Sequence, residues 1–271
     1  METWQFLAPP FAASLILAGI HAYLGLHVVE RGVIFVDLAL AQIAALGTVV
    51  GFLAGADLHG GGAYGWSLGF TFIGAGLFAV TRTRQSRIPH EAIIGIVYAV
   101  SAAASIAAMS RAPEGAEHLK DMLVGNILVV SWGEVGRTAV LYGAVGLFHW
   151  IFRKRFLLIS VDAERAQREG LSIRLWDFLF YVSFGFVVTS SVAIAGVLLV
   201  FSYLIVPSVC AMLFAERIGS RLAIGWVMGA GVSAAGVFLS YVLDLPTGAT
   251  IVCTFGGALL LAAGVRAVWK P

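Results

Sequence analysis

The sequence predicts an all-α, polytopic membrane protein with eight or nine transmembrane helices and a short cytoplasmic helix. Hydrophobic residues make up 60% of the 271 positions and charged residues 12%, whereas a soluble domain carries roughly 25% charged residues. A helix crosses the hydrocarbon core with about 20 apolar residues. Stretches that approach or exceed this length lie at 3–20, 38–56, 63–80, 92–110, 138–152, 178–215, 222–243 and 245–265.

Two of these stretches need a separate argument. The stretch 178–215 is long enough for two short passes, and the hydroxyl residues 189–191 are the predicted break between them. The total is therefore eight or nine helices. Residues 1–3 carry no basic side chain, so we expect the first stretch to be a membrane helix and not a cleaved signal.

The distribution of basic residues predicts the orientation in the membrane. They collect at 82–87 and 153–174, and the positive-inside rule places both segments in the cytoplasm. Nine helices then put the N-terminus outside, whereas eight put it inside or make one segment re-entrant. The longest polar stretch, 153–177, is too short to bury a core, so we expect a single membrane domain over 1–271.

Missing motifs argue against several enzyme classes. The sequence has no Gly-x-x-x-x-Gly-Lys-Ser/Thr phosphate-binding loop, no His-Glu-x-x-His zinc motif and no Ser-His-Asp set in an elbow context. Cys210 and Cys253 lie in apolar stretches, so no disulfide is predicted. We therefore expect transport in a lipid membrane and not catalysis, with no permanently bound cofactor and no nucleic-acid partner.

Asp37 is the one ionisable residue of the stretch 35–56. An ionisable group in a spanning segment is costly, and it survives mainly where it faces a polar cavity, a partner or a passing solute. Three interpretations are open. Asp37 lines a substrate path, it pairs with Arg31 or a backbone group near the inner interface, or it acts in gating without touching an ion.

A short helix is predicted within the basic cytoplasmic segment 153–174. Asp162 is an acidic N-cap candidate and Gly170 is a C-cap candidate. Between them, Ala163 and Ala166 are small residues at i, i+3 spacing. Such a helix is either a solvated part of the loop or an element that docks into a groove of a cytoplasmic partner.

Five stretches between about residues 10 and 265, with order and spacing kept, resemble the ABC-3 metal permeases. These are the membrane subunits of bacterial zinc and manganese ABC importers. The segment at about 160–171 resembles the coupling segment of the family. The other four stretches are Ile94-Gly95-Ile96-Val97-Tyr98, Gly125-Asn126-Ile127-Leu128-Val129-Val130-Ser131, the stretch 196–207 with Ala211, and 239–250 with Leu245-Pro246-Thr247-Gly248.

The resemblance implies a permease that moves a divalent metal ion of the zinc or manganese class with energy from a separate ABC ATPase subunit. It also implies a homodimer in the bacterial cytoplasmic (inner) membrane and an extracellular solute-binding protein that delivers the ion. The segment that docks the ATPase contains Asp162, Glu164, Ala166 and Gly170.

The resemblance also gives two intramembrane residues a position. Asp37 falls on the acidic position of the family's second helix, and two copies facing each other across a dimer axis would neutralise one divalent cation. Pro207 falls in the family's proline stretch and is predicted to bend its helix, because proline removes a backbone hydrogen bond.

One departure from the family concerns the substrate. The family's second helix has a histidine four residues after the acid, on the same helix face, and that position here is Ala41. Gln42 lies about 140° round the helix from Asp37 and cannot simply substitute. His21 and His27 are the candidates for a compensating ligand.

The missing histidine favours an alternative, a permease of the same kind for a non-metal or complexed substrate. Two further alternatives belong to other classes. One is an ion-coupled secondary transporter, and the other is a membrane scaffold without transport of its own.

Overall fold

A computed structural model of the protein describes residues 2–57, 61–82, 88–110, 125 and 127–268, with side chains from residue 7 onward. These residues form ten α-helices and one short 3-10 helix at Ile127–Val129, and no strand occurs among them. The α-helices are α1 (Glu2–Glu30), α2 (Val36–Leu53), α3 (Gly61–Thr81), α4 (His90–Met109), α5 (Trp132–Ile151), α6 (Arg153–Val161), α7 (Ala163–Arg168), α8 (Ile173–Phe214), α9 (Ile218–Leu243) and α10 (Thr247–Val268). The predicted all-α membrane fold is confirmed.

Seven helices in the described part of the chain, α1 to α4 and α8 to α10, are long and apolar enough to cross a membrane. α5 and α6 are bent by 76° and together form an eighth, broken span. α8 has 42 residues and is about 63 Å long at about 1.5 Å per residue, which is twice the roughly 30 Å of hydrocarbon. This length is enough for α8 to cross the membrane twice, which would bring the total to nine spans. The predicted cytoplasmic loop 82–87 is described only at Arg82.

The interruption of α8 lies at Gly196, so the predicted break at 189–191 was wrong. Gly196 has φ 75° and ψ 162°, a conformation that glycine alone adopts readily. The hydroxyls of Ser190 and Ser191 instead donate to the carbonyl oxygen of Val187, at 3.0 and 2.6 Å. Back-bonding of this kind satisfies a hydroxyl inside a helix, so the helix continues through these residues.

The chain divides into two compact units. The first consists of Met1–Val29, Leu123–Gly146 and Ala193–Pro271. Within it, the backbones of α1 and the second part of α8 come into close contact, because a Cβ atom at Gly25 would overlap the carbonyl oxygen of Leu204. Small residues permit such close approach of helices in lipid.

Pro207 and the glycines of α9 form another close contact of the first unit. A Cβ atom at Gly229 would lie 3.1 Å from the Cβ of Ala18 and 3.9 Å from the Cγ of Pro207. One turn away, a Cβ at Gly225 would meet Ala22 and Pro207. The single non-helical residue within α8 is Gly196, so the predicted bend at Pro207 stays a prediction.

The second unit consists of Glu30–Met122 and Leu147–Val192. In this unit α2 packs against both α3 and α4. Gly47 and Gly51 of α2 lie against Trp66 of α3, and two thirds of α2 is buried. The helix with the intramembrane carboxylate is therefore enclosed by its neighbours.

The predicted short cytoplasmic helix is present as α7, and both predicted caps are confirmed. The Oδ1 of Asp162 accepts the N–H of Arg165 at 2.9 Å. Gly170 has φ +81°, the left-handed conformation common after a helix end. A further helix, α6, precedes α7. It was not predicted, because the basic residues at its start obscure the apolar pattern to which the buried Phe156 and Ile159 belong.

Replacing Gly25 by alanine is expected to destabilise the protein, because the added Cβ would overlap the backbone at Leu204. Overpacking of this kind costs about 1–3 kcal/mol. The free energy of unfolding, measured by SDS titration in mixed micelles, checks this. Gly19→Ala in the same helix is the matched control, because nothing lies within 4 Å of a Cβ atom there. Equal stabilities of the two variants would contradict the close contact.

Candidate functional site

Arg31, in the turn between α1 and α2, is the centre of a buried polar cluster in the second unit. Its Nη1 donates to the Oδ1 of Asp177 at 2.7 Å, and both side chains are fully buried. Its Nε donates to the Oγ of Ser160 at 2.9 Å, and its guanidinium lies 3.9 Å from the centre of the Phe180 ring. Arg82 donates to the same oxygen of Asp177 at 2.6 Å. The cluster thus joins the α1–α2 turn, the end of α3, α6 and α8.

The carboxylate of Asp177 makes the burial of Arg31 tolerable. An uncompensated charge in a protein interior costs several kcal/mol. Burial lowers the pKa of Arg31, whereas the neighbouring Asp177 charge opposes this effect. Two guanidinium groups share one carboxylate, so the three side chains together carry one net positive charge.

Asp37 lies in the first turn of α2 and is 2% exposed. Neither of its carboxylate oxygens has a hydrogen-bond partner among the described residues. The N–H groups of Asp37 and Leu38 act on its charge electrostatically, but neither forms a hydrogen bond of acceptable geometry. Arg31 is held by Asp177, so the interpretation that Asp37 pairs with Arg31 was wrong. A buried carboxylate in this state is suited to a passing cation.

Glu91, in the first turn of α4, is a second carboxylate that the sequence analysis missed. Its Oε1 accepts the N–H of Phe35 at 2.9 Å, two residues before Asp37, so a side chain of α4 caps the start of α2. Its Oε2 is buried and has no hydrogen-bond partner within the described residues. The sequence does show an acid directly after Pro89-His90, at the start of an apolar stretch, where a capping residue is common. Which helix this acid caps depends on packing and cannot be read from the sequence.

His21 and His27 are buried residues of α1. The helix extends past both of them, to Glu30. The Nδ1 of His21 donates to the carbonyl oxygen of Leu17 at 2.8 Å, and its ring centre lies 6.4 Å from that of Tyr203. The His27 ring lies edge-on to Tyr23 at 4.8 Å. These contacts are typical of core histidines.

The candidate metal ligands are spread over both units. Asp37 and Gln42 belong to the second unit, and His21 and His27 belong to the first. Gln42 is 8% exposed. No group of three or more His, Cys, Asp or Glu side chains in the described part of the chain is arranged to hold a metal ion. A metal at Asp37 would therefore need water or another molecule to complete its coordination.

One residue of α7 is buried, and the charged residues of the same helix are exposed. Ala166 is fully buried. The Nε of Arg165 lies 2.8 Å from the Oε1 of Glu169, and the Nη1 of Arg168 lies 3.8 Å from the Oε2 of Glu164. Both pairs are exposed, and such pairs contribute little to stability. The charged surface of α7 is therefore accessible to a partner.

Comparisons with known proteins agree with this architecture. A model of the ABC 3 transport family matches residues 3–266. The manganese transport system membrane protein MntC of Listeria innocua is 26% identical over 256 residues, which cover 92% of this chain and 86% of that protein. The chelated iron transport system membrane protein YfeD of Yersinia pestis is 24% identical over 253 residues, which cover 92% of this chain and 82% of that protein.

A solved structure has the same fold. It is described as PsaBC from Streptococcus pneumoniae in complex with Fab, and one of its chains superposes with a TM-score of 0.78 at 24% identity. The match covers 96% of this chain and 93% of that chain.

Replacing Asp177 by asparagine is expected to lower the free energy of unfolding by about 3 kcal/mol or more, because it leaves the buried Arg31 without its carboxylate. SDS titration in mixed micelles measures this loss. Glu169→Gln is the matched control, because it removes the acid of an ion pair whose side chains are 64% and 48% exposed. If Asp177→Asn is as stable as Glu169→Gln, the cluster has no structural importance.

Proposed function

The chain belongs to the ABC 3 transport family, and from this premise we propose that it is the membrane-spanning permease subunit of an ABC importer for a divalent metal ion of the zinc or manganese class. The names of its relatives, for manganese and for chelated iron, support a transition metal as substrate. The sequence has no phosphate-binding loop, so ATP hydrolysis is assigned to a separate ATPase subunit.

The burial of Asp37 without a hydrogen-bond partner is the main support for this proposal. A carboxylate that is 2% exposed within a membrane helix, with no hydrogen bond to either oxygen from any described residue, is costly unless a cation visits it. Divalent transition metals accept carboxylate oxygen as a ligand. Conduction also requires that each site bind weakly enough to release the ion. A sparse ligand set at Asp37 meets this requirement.

The permease is proposed to act as a homodimer. Asp37 is 2% exposed within the single chain, so each copy contributes its own Asp37 to the substrate path. The remaining coordination positions would be filled by water, with Gln42 as the candidate side chain, since His21 and His27 belong to the other unit. The exposed apolar surfaces of α4, α9 and α10 leave ample area for contact with lipid or with a second copy.

The cytoplasmic segment is proposed to dock the ATPase through α7. The segment from Asp162 to Gly170 has a capped start, a left-handed end and an exposed charged surface. Ser160, at the end of α6, is hydrogen-bonded to Arg31. A movement of α7 on ATP binding would therefore be transmitted through Ser160 and Arg31 to the turn that precedes α2.

The remaining partners and the location follow from the same proposal. An importer of this kind receives its ion from an extracellular solute-binding protein, and it resides in the bacterial cytoplasmic (inner) membrane. Under the predicted orientation, α6 and α7 face the cytoplasm, where an ATPase is available.

A complexed metal is the second candidate substrate, and Ala41 is the observation that favours it. Ala41 is 1% exposed, and the resemblance places it where the family has a histidine. A small apolar side chain there removes one ligand for a bare ion. Uptake of free Mn²⁺ and of chelated Fe³⁺ by the same cells, compared at equal metal concentration, separates the two candidates.

Replacing Asp37 by asparagine is expected to reduce Mn²⁺ or Zn²⁺ uptake at least about tenfold, because the neutral amide cannot balance the charge of a divalent ion. Metal accumulation in cells that co-express the ATPase, measured by elemental mass spectrometry, checks this prediction. Full uptake by Asp37→Asn would remove the site from the substrate path.

The control for this experiment is Asp244→Asn. Asp244 has the same side chain, but it lies exposed in a left-handed turn between α9 and α10, a conformation that asparagine tolerates. Uptake by this variant is expected to equal that of the unchanged protein, at equal amounts of protein in the membrane.

Replacing Gly170 by valine is expected to reduce recovery of the ATPase, because a β-branched residue strains the left-handed backbone that ends α7. The amount of ATPase that copurifies with the permease from native membranes measures this. Gly219→Val is the control, since Gly219 has no neighbour within 4 Å of a Cβ atom and no positive φ. Recovery of no ATPase with the unchanged protein would contradict the proposed coupling and favour a secondary transporter.

A further inference from the structure

The carboxylate of Glu91 binds the backbone at the start of α2, the helix that carries Asp37. The Oε1 of Glu91 is fixed by the Phe35 N–H at 2.9 Å, and Phe35 is two residues from Asp37. Packing of α4 against α2 therefore brings Glu91 to the end of α2 where Asp37 lies, although 54 positions separate the two acids in the sequence.

Three of the four oxygens of this pair have no protein partner. Both oxygens of Asp37 and the Oε2 of Glu91 are buried from solvent and accept no hydrogen bond from a described residue. A buried oxygen in this state is unfavourable, and more so when it is charged. These three oxygens are therefore available to a ligand that the described residues do not supply.

The neighbouring cations are already engaged. Arg31 and Arg82 both donate to Asp177. No ion pair joins any described cation to Asp37 or Glu91. Like charges at close range are unfavourable unless a cation lies between them. A mobile divalent ion supplies that charge and accepts carboxylate oxygens as ligands.

We propose that Glu91 is the second carboxylate of the cation site at Asp37 and that each permease subunit thus holds a two-acid position for a divalent ion. The proposal rests on the proposed function, because the ion is the transported substrate. α4 begins directly after the predicted cytoplasmic loop 82–87, so this position lies at the inner end of the path. The second acid offsets the ligand lost at Ala41, and the site does not require an imidazole.

The test is Mn²⁺ binding to the purified permease–ATPase complex without nucleotide, measured by the loss of the free Mn²⁺ signal in electron paramagnetic resonance. Glu91→Gln is expected to weaken binding at least about tenfold, the lower end of what loss of a supporting group costs a metal site. The amide oxygen of glutamine can still accept the Phe35 N–H, so a purely structural role for Glu91 predicts unchanged binding.

Glu134→Gln is the matched control. Glu134 also lies in the first turn of a helix, α5, but its Oε2 is satisfied by the N–H and the hydroxyl of Ser131, at 2.8 and 2.7 Å. Its replacement is expected to leave Mn²⁺ affinity unchanged. Equal affinities for Glu91→Gln, Glu134→Gln and the unchanged protein would overturn the proposal.

A double variant decides whether the two acids hold the same ion. If they do, Asp37→Asn combined with Glu91→Gln weakens binding by less than the product of the two single effects, because groups that share a partner are not additive. Independent, multiplicative effects would overturn the shared site. The proposed function fails separately, when the unchanged protein accumulates no metal in cells, whereas failure of the Glu91 test with intact uptake leaves that function standing.

Discussion

The contact between Arg31 and Asp177 is the interaction on which the second unit depends. It joins two side chains that are 146 positions apart and fully buried, and it sits where the α1–α2 turn, α6 and α8 meet. Ser160 and Phe180 complete the surroundings of the guanidinium. Loss of the carboxylate would leave the buried charge of Arg31 without its partner, which is strongly destabilising.

The same contact removes the nearest possible cationic partner of Asp37. The nearest basic residue in the sequence, Arg31, is committed to Asp177, and Arg82 binds the same oxygen. Asp37 is thus left with a buried, unpartnered carboxylate in a helix that α3 and α4 enclose. Arg31 and Arg82 are paired with Asp177 of α8, and the carboxylate of Asp37 on α2 has no ion-pair partner among the described residues. Under the proposed function, that carboxylate is available to a positive ion.

The sequence predicted the membrane helices well, because a spanning helix is recorded in the length of an apolar stretch and a capped helix in its end residues. It predicted Asp162 and Gly170 as caps of α7 for the same local reason. It failed at the break in α8, where the hydroxyls of Ser190 and Ser191 bond back to their own helix and Gly196 interrupts it instead. It also failed for the partners of Arg31 and for Glu91, because those contacts depend on which helices pack together.

Energy coupling is the central claim, and metal accumulation in proteoliposomes tests it most directly. The vesicles would contain the permease with its copurified ATPase and would be supplied with the solute-binding protein and radioactive Mn²⁺. The account predicts accumulation that requires ATP and persists when ionophores collapse the ion gradients. Accumulation driven by an ion gradient without ATP would contradict it, and so would its absence with both Mn²⁺ and Zn²⁺.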